Sequence, residues 1–264
     1  MASRSTIQTS GLAAVVGVAI VTSAASAAVS DPALTIHAVN SGGTDIVTIP
    51  LAFLAPGGPV GSLSYTLPSA MTLPNTGAVI QNLNLLYVPE NAVPAQENLI
   101  GLNYTLWTGA ETTTFTVSSG LFTLDGLPAQ YGRGSAGVSV TNGNGNFAAD
   151  DGVTYTGLAG GGGFMTQFDG GFGAAPTYTP AGTLFNVFGP ANLTSATSTF
   201  GTDFIDYTFL GTDRTSMSSQ WRFSLTGGDQ VGVVSSFFSS NIIPAPGAVA
   251  LLAIGGLVTG RRRR

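Results

Sequence analysis

The chain of 264 residues carries little charge: only 8% of its residues are Asp, Glu, Lys or Arg, and the formal net charge is −5. Each of its eight cationic residues is an arginine, and it contains no cysteine. Binding of nucleic acid requires a cationic surface that neutralises phosphates, so the composition argues against a nucleic-acid partner. The lack of cysteine excludes disulfides and thiolate chemistry, so a folded domain must be held together by its core.

The N-terminal segment, from Met1 to Ala27, has the three parts of a secretory signal peptide. Arg4 supplies a positive charge, residues 11–21 form an apolar stretch, and Ala25-Ser26-Ala27 provides the small residues of a cleavage site. The pattern predicts export and cleavage before Ala28, with Ala25 and Ala27 at the recognised positions. The alternative is an N-terminal anchor that is not cleaved.

Residues 28–243 form the predicted mature domain, which is long enough for one substantial hydrophobic core. This region contains all thirteen carboxylates but only three of the arginines, so its net charge is −10. The mature protein is therefore more acidic than its precursor. Its abundance of Gly, Ser, Thr and Asn is typical of an exported β-rich protein.

Apolar residues alternate with polar ones along several short segments, which is the period of a half-buried β-strand. Turn sequences rich in Gly, Pro, Asn and Asp separate these segments. The pattern predicts about ten strands in a single antiparallel β-sandwich of jelly-roll type. The last two strands, 218–226 and 230–238, are predicted to pair as a hairpin across Gly227-Gly228-Asp229. The expected apolar faces are Val47, Ile49, Leu51 and Phe53; Leu83, Leu85 and Tyr87; Leu102, Tyr104 and Leu106; Phe115 and Val117; Ile205, Tyr207 and Phe209; and Trp221, Phe223 and Leu225.

A glycine-rich segment at 157–175 carries Phe164, Phe168 and Phe172, with Asp169 as its only charge. It is predicted to be a long loop whose aromatic side chains pack on the edge of the sandwich. The alternative is a loop that contacts a ligand through its aromatic rings, or one that mediates self-association.

The domain offers few groups for catalysis. His37 is its only histidine, which argues against a zinc site built on several histidines. Glycoside hydrolysis needs two carboxyl groups about 5–9.5 Å apart, whereas Asp203 and Asp206 would point to opposite faces of a strand. We therefore predict no catalytic residues and no enzymatic activity, and a glycan-active enzyme is the weakest of the functions considered.

Side chains with oxygen ligands recur at alternate positions within 142–151. Asn142, Asn144, Asn146 and Asp150 have the spacing of positions 1, 3, 5 and 9 of an EF-hand loop, and Asp151 lies beside them. The glycine of position 6 and the glutamate of position 12 are missing. The segment is thus expected either to bind calcium in a loop of another kind or to form a simple Asn-Gly turn. No other cofactor is predicted.

The C-terminal tail, from Pro244 to Arg264, forms the most specific pattern in the chain. Pro244-Ala245-Pro246-Gly247 is expected to be extended, because proline fixes φ and lacks an N–H donor. Residues 248–259 are apolar and uncharged, and the chain closes on Arg261, Arg262, Arg263 and Arg264. The apolar stretch is short for a bilayer span, which takes about 20 residues. The arginines are expected to stay cytoplasmic and the rest of the chain to lie outside.

This arrangement resembles the PEP-CTERM sorting signal of bacterial surface proteins, in a form where Ala245 stands at the position that the family more often fills with Glu. The resemblance covers only this tail. It implies a short C-terminal hydrophobic helix, recognition by an exosortase-like processing enzyme, cleavage near Pro244–Gly247, and transfer to the cell surface or extracellular matrix. An ordinary membrane anchor that is never cut is the alternative.

These features predict an exported, surface-sorted, non-enzymatic protein that is a structural or adhesive component of the cell envelope or biofilm matrix. The C-terminal segment would hold it in the membrane, either until it is processed or permanently. The alternative function is a carbohydrate-binding module that contacts extracellular polysaccharide through exposed aromatic rings. Trp107, on the polar face of its strand, and Tyr131 are the candidate residues.

Overall fold

A computed structural model describes residues 28–57, 61–90, 97–124, 129–143, 153–160, 162–173, 180–188, 192–195, 197–204 and 208–240. These residues form nineteen β-strands and one 3₁₀ turn, Leu51–Phe53. No helix in these ranges is long and apolar enough to cross a membrane. The strands are β1 (Ala28–Val29), β2 (Leu34–Asn40), β3 (Gly43–Ile49), β4 (Ala55–Pro56), β5 (Leu63–Thr66), β6 (Met71–Thr72), β7 (Val79–Val88), β8 (Glu97–Trp107), β9 (Thr113–Ser119), β10 (Phe122–Thr123), β11 (Ala129–Thr141), β12 (Val153–Gly157), β13 (Phe164–Phe168), β14 (Thr183–Phe188), β15 (Asn192–Ser195), β16 (Thr197–Phe204), β17 (Thr208–Arg214), β18 (Ser216–Leu225) and β19 (Gln230–Ser240).

The strands form two antiparallel sheets, which confirms the predicted all-β, sandwich-like class. The ten-stranded sheet has the order β1-β10-β18-β9-β2-β3. Off this path, β12 and β13 both pair with β18; β12 also pairs with β15, and β13 also pairs with β14. The nine-stranded sheet has the order β16-β11-β19-β8-β7-β5-β4, with β17 beside β11 and β6 beside β7. Each sheet is therefore organised on one long strand, β18 in the first and β19 in the second.

The hydrophobic core lies between the two sheets. Four of the predicted apolar faces are confirmed, because their side chains are at most 2% exposed: those of β7 (Leu83, Leu85, Tyr87), β8 (Leu102, Tyr104, Leu106), β9 (Phe115, Val117) and β18 (Trp221, Phe223, Leu225). Aromatic rings fill much of this layer. Phe164 stacks on Trp221 with ring centroids 5.0 Å apart, and Phe168 lies 5.0 Å from Phe237 of the opposite sheet.

Buried hydrogen bonds, including the following two, tie the sheets together within this apolar layer. The indole Nε1–H of Trp221 on β18 donates to Oγ of Ser235 on β19 at 2.9 Å. The hydroxyl of Tyr87 on β7 donates to the carbonyl oxygen of Ala33, next to β2, at 2.6 Å. A buried polar group without a partner is destabilising, so these bonds favour one particular alignment of the two sheets.

The predicted hairpin at the end of the domain is wrong. β18 and β19 belong to different sheets, so the chain crosses the core between Leu225 and Gln230. The crossing is fixed by polar contacts: the N–H of Thr108 donates to the carbonyl of Asp229 at 2.9 Å, and the N–H of Asp229 donates to the Thr108 hydroxyl at 2.9 Å. The hydroxyl of Thr226 donates to the Asp229 carboxylate. A Gly-Gly-Asp sequence is as compatible with this crossing between the sheets, which we call the arch, as it is with a hairpin.

Two predicted apolar faces are only partly correct. The alternation after Val47 and Ile49 does not continue, because β3 ends before Pro50 and the next residues form the 3₁₀ turn, in which Phe53 is 64% exposed. Phe209 in β17 is 62% exposed rather than buried. The other two members of its predicted face, at 205 and 207, lie outside the described residues.

The glycine-rich segment at 157–175 is not one long loop. It begins at the last residue of β12 and contains the whole of β13, in which Phe164 and Phe168 are buried in the core. β13 pairs with β18 on one side and with β14 on the other. Two described stretches run over the surface as predicted: the turn at 158–160, where Leu158 is exposed, and the stretch around Phe172, which forms an isolated bridge with Pro180.

Candidate functional site

The two predicted carbohydrate-contacting residues do not form one site. Both lie on strands of the nine-stranded sheet that pair with β19. Trp107 is paired with Gln230 at one end of β19, and Tyr131 is paired with Ser240 at the other end. Those partners are ten residues apart on one strand, which corresponds to about 33 Å at about 3.3 Å per residue. A single sugar ring cannot contact both side chains.

Trp107 is a half-buried residue rather than a freely exposed ring. A Cβ added to Gly143 would come within 2.6 Å of its Cζ3 atom, so the glycine backbone lies directly against the indole. The Nε1 atom of Trp107 is buried and has no hydrogen-bond partner within the described ranges. The ring thus covers the end of the sandwich near the arch at Asp229, where the N–H of Gly143 donates to the Asp229 carboxylate at 3.4 Å.

Tyr131 lies in a cluster of rings around a salt bridge. Its ring is 5.5 Å from that of Phe209. Further along β11 and on the same face, Arg133 forms a 3.0 Å ion pair with Glu97 and places its guanidinium 4.3 Å from the centroid of Phe238. Tyr131 and Arg133 thus both lie on the outer surface of the nine-stranded sheet, and the ring contact of Tyr131 is with Phe209.

The predicted calcium ligands lie mostly outside the described residues. Asn142 is described and is half-buried, whereas Asn144, Asn146, Asp150 and Asp151 are not described. Within the described ranges no group of three or more His, Cys, Asp and Glu residues is arranged to hold a metal ion. Calcium binding by this segment stays a prediction.

The two sorting elements also lie outside the described residues. This applies to the cleavage positions Ala25 and Ala27 and to the whole C-terminal pattern, Pro244, Ala245, Pro246, Gly247, Arg261, Arg262, Arg263 and Arg264. Their roles stay predictions.

The carboxylates of Asp45 and Asp169 both accept several hydrogen bonds from neighbouring residues. Burial alone would raise the pKa of Asp45, but hydrogen bonds from Thr76 and Asn75 outweigh it and hold that pKa below its usual value. For Asp169, burial is also outweighed by hydrogen bonds from the Thr215 N–H and by Arg214, whose Nη1 lies 2.9 Å away, so its pKa is lowered. Both groups therefore stay ionised at neutral pH, as anchors for loops rather than as proton donors.

A depression that sequence reasoning did not find lies on the outer face of the ten-stranded sheet. We call it the β2–β9 groove. It holds about 490 Å³ and is lined by Ser30, Pro32, Thr35, His37, Ile46, Ser118, Ser119, Gly120, Leu121, Gly171, Phe172 and Gly173. Thr35 and His37 alternate with the core residues of β2, so they point away from the core and form the floor.

The wall of the groove is the surface stretch of the glycine-rich segment around Phe172. Phe172 is held there by its bridge to Pro180 and by the neighbouring bond from the Ala181 N–H to the Gly171 carbonyl, at 3.1 Å. The opposite side is open where Ile46 projects from the sheet-edge strand β3 with 60% of its surface exposed. One signal for this site was present in the sequence, namely the alternative interpretation of the segment as a ligand-contacting loop.

The described residues that line the groove include no carboxylate, lysine or arginine. The titratable side chain among them is His37, and burial lowers the pKa of that imidazole below its usual value of 6.5, so it is neutral at pH 7. The lining therefore combines hydroxyl groups, a neutral imidazole, one aromatic ring and aliphatic side chains. Such a surface suits an uncharged ligand.

Comparison with known proteins finds no family model that matches the chain and no curated protein with significant sequence similarity to it. The chemistry of its own residues is therefore the basis for assigning a function.

Proposed function

We propose that this protein is exported, sorted to the cell surface, and acts without catalysis as a structural or adhesive component of the cell envelope or extracellular matrix. The observation that carries the proposal is the division of the chain into three parts. A signal-peptide pattern precedes Ala28, one two-sheet body runs from Ala28 to Ser240, and a PEP-CTERM-like tail follows it.

The folded body supports the non-catalytic part of the proposal. Its only histidine lines a groove whose described lining has no carboxylate, and the carboxylates of the buried Asp45 and the exposed Asp169 are engaged in structural hydrogen bonds. His37 is the titratable side chain of that described lining, which contains no carboxylate to act as a second acid or base beside it. A single antiparallel sandwich of jelly-roll type remains our interpretation of the strand order.

The C-terminal part of the proposal depends on the position of β19. This strand ends at Ser240, only four residues before the Pro244-Ala245-Pro246-Gly247 segment. A processing enzyme in the membrane would thus meet the extended segment directly next to the folded body. Cleavage there would leave all nineteen described strands in the released chain, since the last of them ends at Ser240.

The test is the intact mass of the protein recovered separately from the membrane, the cell surface and the medium of its native cells. The proposal expects a chain that begins at Ala28 and has lost or exchanged the tail after the Pro244–Gly247 segment. A chain in the membrane fraction that still ends in Arg264 would identify an uncut anchor and refute sorting.

A second candidate function is carbohydrate binding. The distance between Trp107 and Tyr131 argues against a single sugar site formed by these two residues. The hydroxyl groups and the aromatic ring that line the β2–β9 groove favour a sugar site in the groove instead.

A further inference from the structure

We propose that the β2–β9 groove is a binding site for an uncharged sugar, a neutral hexopyranose unit of an extracellular polysaccharide. The inference depends on the proposed function only for its setting, since an adhesive surface protein needs a matrix component to adhere to. The ligand class follows from the arrangement of hydroxyl groups, aromatic ring and neutral imidazole in the groove.

The floor of the groove presents two hydroxyl groups side by side. Thr35 on β2 is directly paired with Ser118 on β9. Directly opposed residues of antiparallel strands have Cβ atoms about 4.5–5.5 Å apart, so the two hydroxyls share one small area of the surface. Vicinal hydroxyl groups of a pyranose have a matching close spacing, and each can both donate and accept a hydrogen bond.

A buried glutamine orients one of these hydroxyls. Nε2 of Gln220 on β18 donates to Oγ of Ser118 at 2.8 Å, and Gln220 is fully buried. Because Ser118 Oγ accepts this bond, its own O–H is left to donate towards the groove. The Oε1 atom of Gln220 is buried without a hydrogen-bond partner in the described part of the chain. Leaving a buried amide oxygen without a partner is destabilising. That the fold nevertheless keeps Gln220 bonded to Ser118 indicates that the Ser118 hydroxyl is held in a defined orientation.

The wall supplies the apolar half of the recognition. A pyranose ring has a face of C–H groups that packs on aromatic side chains, and the ring of Phe172 is the aromatic group in the lining. Pro32 and Leu121 extend this apolar surface at the end of the groove. Hydroxyls on the floor and a ring on the wall would contact the edge and the face of the same sugar.

The charge of the domain argues against anionic ligands of this size. A uronic acid, a sulfated sugar or a phosphate would bring an anion against a described lining without any Arg or Lys, in a domain whose net charge is −10. Bringing a charge out of water without a partner is costly. A neutral sugar meets no such penalty.

The experiment is affinity electrophoresis of the full-length chain in native gels that contain dextran, amylose, hydroxyethylcellulose or galactomannan, with alginate as the acidic comparison. A polyoxyethylene detergent keeps the terminal segments soluble and, unlike an alkyl glucoside, carries no sugar. We expect retardation by at least one neutral polysaccharide and none by alginate. Migration unaffected by all four neutral polymers would overturn the proposal.

Variants locate the site. Phe172→Ala should weaken binding about tenfold, a change of about 1.4 kcal/mol, while Phe209→Ala serves as the matched control, because it removes an exposed phenyl ring from the opposite sheet. Thr35→Tyr removes one floor hydroxyl and also fills the groove with a large ring, and it should abolish retardation even if Phe172→Ala proves unstable. Thermal unfolding of each variant checks its fold.

Other outcomes are equally decisive. Loss of binding in Phe209→Ala with wild-type binding in Thr35→Tyr would move the site to the nine-stranded sheet and refute the groove. Failure of the polysaccharide experiment in a protein whose mass shows both ends processed would refute the sugar site alone. Polysaccharide binding by a chain that retains Arg264 in the membrane would refute sorting alone.

Discussion

Replacing Asp45 with Asn tests whether a single buried carboxylate joins the edge of one sheet to the chain that leads into the other. Asp45 lies in β3, at the edge of the ten-stranded sheet. It accepts hydrogen bonds from the Thr76 N–H at 2.8 Å, the Thr76 hydroxyl at 2.7 Å and the Asn75 amide nitrogen Nδ2 at 2.9 Å. Asn75 and Thr76 connect β6 to β7 in the nine-stranded sheet.

The expected loss follows from the donors that surround the carboxylate. Hydrogen bonds to a charged group contribute about 1.5–3 kcal/mol each. In Asp45→Asn one oxygen becomes an NH₂ group, so at least one N–H of Asn75 or Thr76 faces another donor and every remaining bond loses its charge. We expect the free energy of unfolding to fall by about 2–4 kcal/mol at pH 7. Urea denaturation followed by tryptophan fluorescence measures it.

The pH dependence provides an independent check. The pKa of Asp45 is lowered in the folded state, so its ionisation adds stability above the unfolded-state pKa of about 3.9. That contribution is lost as the pH falls through the lower folded-state pKa. The difference between wild type and Asp45→Asn should therefore be full at pH 7 and should shrink below about pH 4.

The matched control is Asp31→Asn. Asp31 is exposed, and its Oδ1 accepts one bond, from the Leu51 N–H at 2.9 Å, which an asparagine oxygen can also accept. We expect this change to cost less than about 1 kcal/mol. An Asp45→Asn variant as stable as Asp31→Asn, or a difference from wild type that does not change with pH, would refute the reasoning.

Two further substitutions probe the core and the arch. Ser235→Ala should lower the free energy of unfolding by about 1–3 kcal/mol, because it leaves the buried Trp221 indole N–H without an acceptor. The control is Ser236→Ala, one residue along and on the outer face, which should change the free energy of unfolding by less than about 0.5 kcal/mol. Equal losses in the two variants would contradict the hydrogen bond between the sheets. Gly143→Ala should cost about 1–3 kcal/mol, because the added Cβ would lie 2.6 Å from both the Trp107 ring and the Gly228 carbonyl oxygen; an unchanged melting temperature would contradict this close packing of Gly143.

The alternation of apolar and polar residues predicted the strands whose two faces differ most. Leu83, Leu85 and Tyr87 face the core while Asn84 faces outwards, and this contrast sufficed to place β7. β13 carried no such signal, because all five of its residues are buried, including Thr166 and Gln167. A sequence pattern that measures contrast between faces cannot detect a strand that is covered on both.

β11 escaped prediction for a different reason. It is the longest strand described, with thirteen residues, but its sequence is rich in Gly, Ser and Ala, and such residues have little preference for strands. Its partners β19 and β16 are what make it a strand. The crossing at Gly227–Asp229 was beyond prediction for a related reason. Apolar residues alternate in the sequence at the end of β18 and along β19, and this alternation does not show from which side each strand reaches the core.

The candidate site shows the same limit. Thr35, Ser118 and Phe172 are far apart in the sequence, and they meet only because β2 pairs with β9 and the chain after β13 turns back over both. The sequence presents His37 only as an isolated histidine, and its place in the groove could not be seen without the strand register.

The central position of β19 has a mechanical consequence. All eleven of its residues are paired with β11 on one side and β8 on the other, and it is the last described strand before the tail. A pull on the C-terminal end of the chain would load these two rows of hydrogen bonds lengthwise and together, rather than opening them one at a time from an edge. If the domain is tethered through its tail, as we propose, it would therefore resist drag with its most extensively bonded strand.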